Sequence, residues 1–133
     1  MRCCLETSAY SLFKRGDEQV VELPDRADWV GLPTVVLGEL WLGFLLGSRL
    51  RQNQTELAAF VAHPAVETLA VDEEVARIYA EIVVDLRKAE TPLPTNDIWV
   101  AATAVRAGAT VPTCDAHFTA IERVGSLVLV PPP

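Results

Sequence analysis

The sequence predicts an α/β fold in which a mostly parallel sheet is covered on both faces by helices. Three observations carry this reading. Short apolar runs alternate with helical patterns along the chain. One stretch, Asp72 to Lys88, carries Val75, Ile78, Tyr79, Ile82, Val83 and Leu86 at the spacing of a single helix face. Acidic residues stand directly after predicted strand ends, and sites in parallel sheets form beyond the carboxyl ends of the strands. The chain reads as a single domain, residues 1–133, long enough to bury about two-thirds of its unfolded surface without staples.

Taken in order, Arg2 to Leu5 predicts a first strand, and Glu6-Thr7-Ser8 supplies an acid and hydroxyls that cap a helix through Tyr10, Leu12 and Phe13. Lys14-Arg15-Gly16-Asp17 closes that helix with cations near its negative end and a glycine break. A short helix is expected over Glu18 to Arg26. The apolar stretch Trp29 to Ser48 predicts a buried loop, then a helix from about Val35 to Leu46 that carries Glu39. Leu57, Phe60 and Val61 mark a helix that stops at His63-Pro64, because a residue before proline disfavours helical backbone.

Val66 to Val71 reads as a half-buried strand. The Asp72 to Lys88 helix follows, with acids in its first turn and Arg87-Lys88 in its last. After Thr91-Pro92-Leu93-Pro94, either Thr95 or Asn96 is expected to cap a helix that packs through Ile98, Ala101, Ala102 and Val105 and ends at Gly108. Ala109 to Thr113 predicts a short strand that Pro112 should end. Asp115 to Arg123 reads as a short helix and Leu127 to Val130 as a last strand.

Eleven Lys and Arg against eighteen Asp and Glu give a net charge of -7. That balance argues against nucleic acid as a partner, unless acids gather around a divalent cation and invert the local sign. Cys3, Cys4 and Cys114 form no C-x-x-C pair and have only His63 and His117 as imidazole companions, so no zinc site is expected. The odd thiol count and the absence of a leader pattern at Met1 point to a reducing cytoplasm without export. Trp29 to Ser48 has the length of a bilayer span. Pro33 and Glu39 argue against that role, since a central carboxylate costs about 2.5–3.5 kcal/mol in lipid. The stretch reads instead as a buried segment partly covered by a second subunit, with no membrane partner.

Four acids then require an explanation: Glu6, Glu39, Asp97 and Asp115. Alone, Asp97 and Asp115 would be helix-start carboxylates and Glu6 a solvated strand end. Glu39 is harder to dismiss, because an unpaired buried carboxylate is costly and no cation lies nearby in sequence. Hard cations such as Mg2+ and Mn2+ take oxygen ligands and keep several waters. One or two of them can activate water and stabilise the leaving oxygen of a phosphodiester. Trp41 and Trp99 read as core or interface residues rather than base-stacking platforms.

The segments L-E-T-S-A-Y-S at Leu5 to Ser11, G-E-L around Glu39, P-T-N-D-I-W-V-A-A-T-A at Pro94 to Ala104 and T-C-D-A-H-F at Thr113 to Phe118 span nearly the whole chain. In this order they resemble the PIN-domain family, and within it the VapC-type toxins of bacterial type II toxin-antitoxin pairs. The resemblance implies a three-layer α/β/α sandwich, a homodimer, Mg2+- or Mn2+-dependent cleavage of RNA, and inhibition by a cognate VapB-like antitoxin. Carried onto this sequence, Glu39, Asp97 and Asp115 become the catalytic, metal-binding acids. Glu6 joins them as a metal ligand where the family usually has aspartate. Thr7, Ser8, Asn96, Thr113 and His117 would support these acids, His117 as a packed or supporting residue rather than a ligand. Lys14, Arg15, Arg49, Arg51, Arg87 and Lys88 are the candidate RNA contacts, Arg87 and Lys88 foremost because they precede the Asp97 loop, and Cys114 stands where arginine is common.

The extra methylene of Glu6 displaces its carboxylate by about 1.5 Å, and misplacement on that scale can cost about a hundredfold in rate. An alternative reading is therefore a catalytically weakened PIN domain that acts by binding an antitoxin. A phosphoacceptor receiver domain also uses strand-end acids. It would need paired acids after the first strand and a late lysine, and the sequence has neither.

Overall fold

Strand β1 (Arg2–Cys4) opens the chain, and the acid and hydroxyls after it start helix α1 (Thr7–Lys14) as expected. The computed structural model describes residues 2–129. The predicted end of the last strand at Val130 and the three closing prolines lie outside them. Between Asp17 and Glu22 the backbone turns, and only Leu23–Arg26 is helical (α2), shorter than expected. Pro24 suits the first turn of a helix, where its missing N–H is not needed, and so begins α2 late.

Trp29–Pro33 is a strand, β2, and not the loop that the sequence implied. Its residues are apolar without alternation, the pattern of a strand buried on both faces, which periodicity alone does not separate from a buried loop or helix. Helix α3 (Thr34–Leu46) leaves β2 directly, followed by α4 (Leu50–Val61), which stops before His63-Pro64. Strand β3 covers Val66–Leu69 only, with Glu67 and Thr68 exposed, because it lies on the sheet edge. Helix α5 (Glu73–Lys88) matches its periodicity: Asp72 caps it by accepting from the Val75 amide at 2.8 Å, and Val75, Ile78, Ile82 and Leu86 are buried.

Helix α6 (Thr95–Ala107) is capped by extended Pro94, whose carbonyl accepts from the Ile98 amide, and by no side chain. Thr95 and Asn96 are its first helical residues, so neither is the cap. Burial of Val100, Ala101, Ala102, Thr103 and Ala104 in succession shows that α6 is covered on more than one face, while Val105 is only half-buried. The alanines let α5, α3 and β2 approach it closely. Gly108 closes α6 at φ 65°, a left-handed backbone that glycine adopts without strain. The chain ends in β4 (Val111–Thr113), a 3-10 segment (Ala116–Ala120) and β5 (Ser126–Val128).

All described strand pairs are parallel: β2 lies between β1 and β3, and β4 pairs with β5. A single bridge, Cys3 to Thr110, joins the two sets into the order β3-β2-β1-β4-β5, with helices packed against the sheet in an α/β/α sandwich. Pro112 explains why that junction is narrow. The Thr110 amide donates to Arg2 in β1, whereas the Val111 amide donates to Gly125 ahead of β5. By alternation Pro112 faces β1 and has no hydrogen to give. The strand nevertheless continues through Pro112 to Thr113 on its β5 side, contrary to the expected stop.

The core is apolar and continuous, with Leu5, Tyr10, Leu32, Val36, Ile82 and Val100 among its fully buried members. Burial pushes the Cys4 thiol up to about 12, so it packs as a small hydrophobe and offers no thiolate. At Gly31 in β2 a Cβ would lie 2.5 Å from the Trp29 ring and 2.6 Å from Leu69 Cδ1. The Trp29 ring is held by its Nε1–H bond to Glu67 and by Arg2 stacked 4.2 Å above it, so it does not give way freely. Gly31→Ala is expected to destabilise the fold by about 1–3 kcal/mol through overpacking. Gly43→Ala, in open space on α3, should stabilise it by about 0.5–1 kcal/mol. Urea unfolding of both variants checks the opposite signs.

Candidate metal centre

Three peptide segments meet at the carboxyl ends of β1 and β4: the start of α1, the first turn of α6 and the turn after β4. Asp97 stands in the first turn of α6, whose position is set by burial of Ile98 and by Trp99, stacked face to face on Tyr79 of α5 at 3.8 Å. Asp115 follows β4. Its amide is held by Thr113 Oγ1 at 2.8 Å, and its Oδ1 caps the 3-10 segment by accepting from the His117 amide at 2.9 Å. His117 Nδ1 lies 3.1 Å from Asp115 Oδ1 and 3.5 Å from Asp97 Oδ2. One ligand atom from each of Asp97, Asp115 and His117 falls within 4.8 Å of the others.

Glu6 enters from β1. At 7 % exposure it is the one charged side chain that is buried among the described residues. Its Oε1 accepts from the Ala9 amide at 2.7 Å and from the Ser8 hydroxyl, which makes Glu6 the N-cap of α1. The longer side chain thus turns back onto its own helix. Ser8 Oγ also accepts from the Cys114 amide at 2.9 Å, tying the start of α1 to the turn that carries Asp115. Glu39 on α3 is half-buried and accepts from Thr7 Oγ1 at 3.1 Å, so it is neither fully buried nor unpartnered.

Electrostatics link these acids. Burial, and then the charge of Asp115, holds the Asp97 carboxyl above its ordinary range; Glu6 adds to the rise and His117 opposes it. The site therefore gathers more negative charge than its own residues neutralise. Oxygen donors within ligand distance of one another under that excess fit a hard divalent cation.

The structure thus joins Asp97, Asp115 and His117 directly, brings Glu6 close enough to act on Asp97, and connects Glu39 through Thr7. Ser8 and Thr113 hold backbone of the site, whereas Asn96 stays exposed on the first turn of α6. His117 is not packed away: its side chain is 53 % exposed, with the ring between the two carboxylates. Lys14 bonds Asn53 and pairs with Glu56 at 3.0 Å, so its charge is engaged on α4. Arg15, Arg87 and Lys88 are exposed. Arg87 lines a cleft of about 510 Å³ with Tyr79, Leu93 and Thr95, beside the start of α6. The part of His117 was illegible because a lone histidine two residues after an acid carries no spacing signal; only the 3-10 turn brings its ring back over Asp115.

Because folding raises the Asp97 pKa, this carboxyl binds its proton more tightly in the folded chain. Its stabilising contribution is complete below the unfolded value of about 3.9 and is lost as pH rises through the folded value. In chelator, Asp97→Asn should therefore gain thermal stability relative to the parent as pH increases from about 3 to 7, because only the parent loses that proton. Paired thermal melts across that range test it, and a constant difference between the two proteins would contradict it.

Comparison with known proteins places the fold. The PIN domain pattern matches residues 3–124. Ribonuclease VapC4 of Mycobacterium tuberculosis is 38% identical over 104 residues, covering 76% of this chain and 79% of that protein. Ribonuclease VapC5 of the same organism is 30% identical over 129 residues, covering 95% and 92%. Among solved structures, VapBC-5 of M. tuberculosis, a member of the VapBC family of toxin-antitoxin systems, superposes with a TM-score of 0.74 at 28% identity over 96% of this chain and 98% of the matched one. VapBC2 of Rickettsia felis, bound to a fragment of promoter DNA, shares the fold with a TM-score of 0.85 at 21% identity over 98% and 100%. With the pattern matched across nearly the whole described fold, this chain belongs to the PIN domain family.

Proposed function

We propose that this chain is the toxin of a type II toxin-antitoxin pair, an endoribonuclease that hydrolyses RNA phosphodiester bonds with Mg2+ or Mn2+ and is neutralised by a cognate VapB-like antitoxin. The observation that carries the reading is the meeting of Asp97 and Asp115 within ligand distance at the carboxyl ends of the strands. Two relatives named as ribonucleases and a 28% identical neighbour from a toxin-antitoxin system support it.

Asp97 and Asp115 would hold the cation, with Glu6 and Glu39 beside them. When bound, such an ion supplies Lewis-acid polarisation of the phosphodiester and charge compensation at the leaving oxygen. The chain itself supplies positioning. Thr7 fixes one oxygen of Glu39, and the other would orient water. Ser8 and Thr113 fix the turn that presents Asp115. Arg15, Arg49, Arg51, Arg87 and Lys88 are exposed cations that RNA phosphates could meet, whereas Arg77 and Arg123 are paired with acids on α5. In a chain of net charge -7, substrate approach depends on such local positive sites.

The exposed face of α3 supports protein partners. Leu42, Leu45 and Leu46 are 59 %, 64 % and 80 % exposed, beside Trp41 at 37 %. An apolar ridge of this kind belongs in contact with protein, and a second copy of the chain, as in a homodimer, is the partner we assign to it. Among the described residues no helix is long and apolar enough to cross a membrane. Toxin, antitoxin and RNA would meet in the cytoplasm.

Asp97→Asn is expected to lower Mn2+-dependent RNA cleavage by the purified chain at least about a hundredfold with unchanged circular dichroism. Full activity in that variant would end the assignment. Replacing Arg87 and Lys88 together by alanine should weaken RNA binding and flatten its dependence on salt by about 1.4 in log-log slope, from about 0.7 per lost single-strand phosphate contact. Binding titrations between 50 and 200 mM salt measure that slope.

A further inference from the structure

We propose that His117 is the third protein ligand of the cation held by Asp97 and Asp115, so that the centre is a mixed oxygen-nitrogen site rather than one of carboxylates alone. The proposal rests on the metal-dependent reading above and deepens it.

The ring position leads here, and the hydrogen bonding of Glu6 is consistent with it. His117 Nδ1 sits 3.1 Å from one carboxylate and 3.5 Å from the other, already at the point where both acids converge. Its backbone cannot swing away easily, because the His117 amide is bonded to Asp115 Oδ1 and the buried Phe118 anchors the next position. Glu6 Oε1 is committed to the Ser8 hydroxyl and the Ala9 amide, and the side chain is buried against α1 as its N-cap. Aspartate caps a helix in the same i to i+3 manner, as Asp72 does for α5, so it is the hydrogen bonds of Glu6, and not its length, that commit this oxygen. With an oxygen of Glu6 drawn into capping and one of Glu39 held by Thr7, an imidazole between Asp97 and Asp115 offers the next donor.

The chemistry has a consequence for the choice of ion. Mg2+ takes oxygen ligands and surrenders its waters reluctantly. Imidazole binds Mn2+, and binds the later divalent metals still better in the order Mn2+, Fe2+, Co2+. A nitrogen ligand therefore tilts this centre from Mg2+ toward Mn2+, and loss of the ring should weaken Mn2+ binding by about tenfold or more while changing Mg2+ binding less.

Electron spin echo modulation on the full chain loaded with Mn2+ reads the bond directly, without any assay of cleavage. His63 and His117 are the chain's two histidines, and His63 is occupied elsewhere with Asp25. Modulation from a bound nitrogen is expected in the parent and in His63→Gln, and it should vanish in His117→Gln while Mn2+ still binds. Should His117→Gln fail to bind Mn2+, selective 15N-histidine labelling of the parent must convert the 14N pattern to 15N. Mn2+ bound by the parent without nitrogen modulation, or modulation surviving in His117→Gln, overturns the ligand assignment and leaves the carboxylate centre standing. Failure of the parent to bind Mn2+ at all overturns the centre and the ligand together.

Discussion

Two carboxylates that repel each other are kept side by side, and much of the fold exists to hold them there. Asp97 is carried by a helix buried on several faces, and Asp115 by a turn that follows a buried strand end. Neither segment can relax the repulsion without disturbing core contacts, so burial first, and then the charge of Asp115, raises the proton affinity of Asp97. A cation bound there would remove that penalty and would couple occupancy of the centre to stability of the chain.

The junction between β1 and β4 shows how the site is assembled across a weak point in the sheet. Pro112 removes one ladder hydrogen bond, and the next amide that faces β1, that of Cys114, is taken by Ser8 Oγ. A side chain on α1 thereby replaces a backbone acceptor. The same hydroxyl reaches Glu6, so a single group orients the acid after β1 and the turn that presents Asp115. Thr113 completes the arrangement by holding the Asp115 amide. Within this network Glu6 serves as the N-cap of α1.

Charge and apolar surface divide the remaining work. The acidic excess concentrates negative potential where a cation would sit, while several cations are tied to acids on helix surfaces: Arg77 and Arg123 to α5, and Lys14 to α4. The exposed leucines of α3 stand apart from that centre in chemistry. Their apolar stretch, long enough in sequence to imitate a bilayer span, is interrupted by the strand-to-helix change at Pro33, and its helix buries Val36, Leu40 and Phe44 on one side only.

The strong helix at Asp72 to Lys88, the α/β alternation, the acids after β1 and β4 and at the start of α6, and Glu39 within α3 were determined by local sequence: periodicity, capping residues and spacing act within a few residues and are legible there. Strand β2 was not, because an apolar run without alternation fits several structures until neighbouring strands supply its hydrogen bonds. The continuation of β4 through Pro112 depended likewise on which neighbour each amide faces. The same limit applies at the site. Sequence identified the acids, whereas only the packed sheet decided that Glu6 bends back to cap α1, that Thr7 reaches Glu39 across 32 residues, and that His117 lies between two carboxylates. Those contacts are set by how β1, α3, α6 and the end of β4 pack together, and distance through space is not encoded in local pattern.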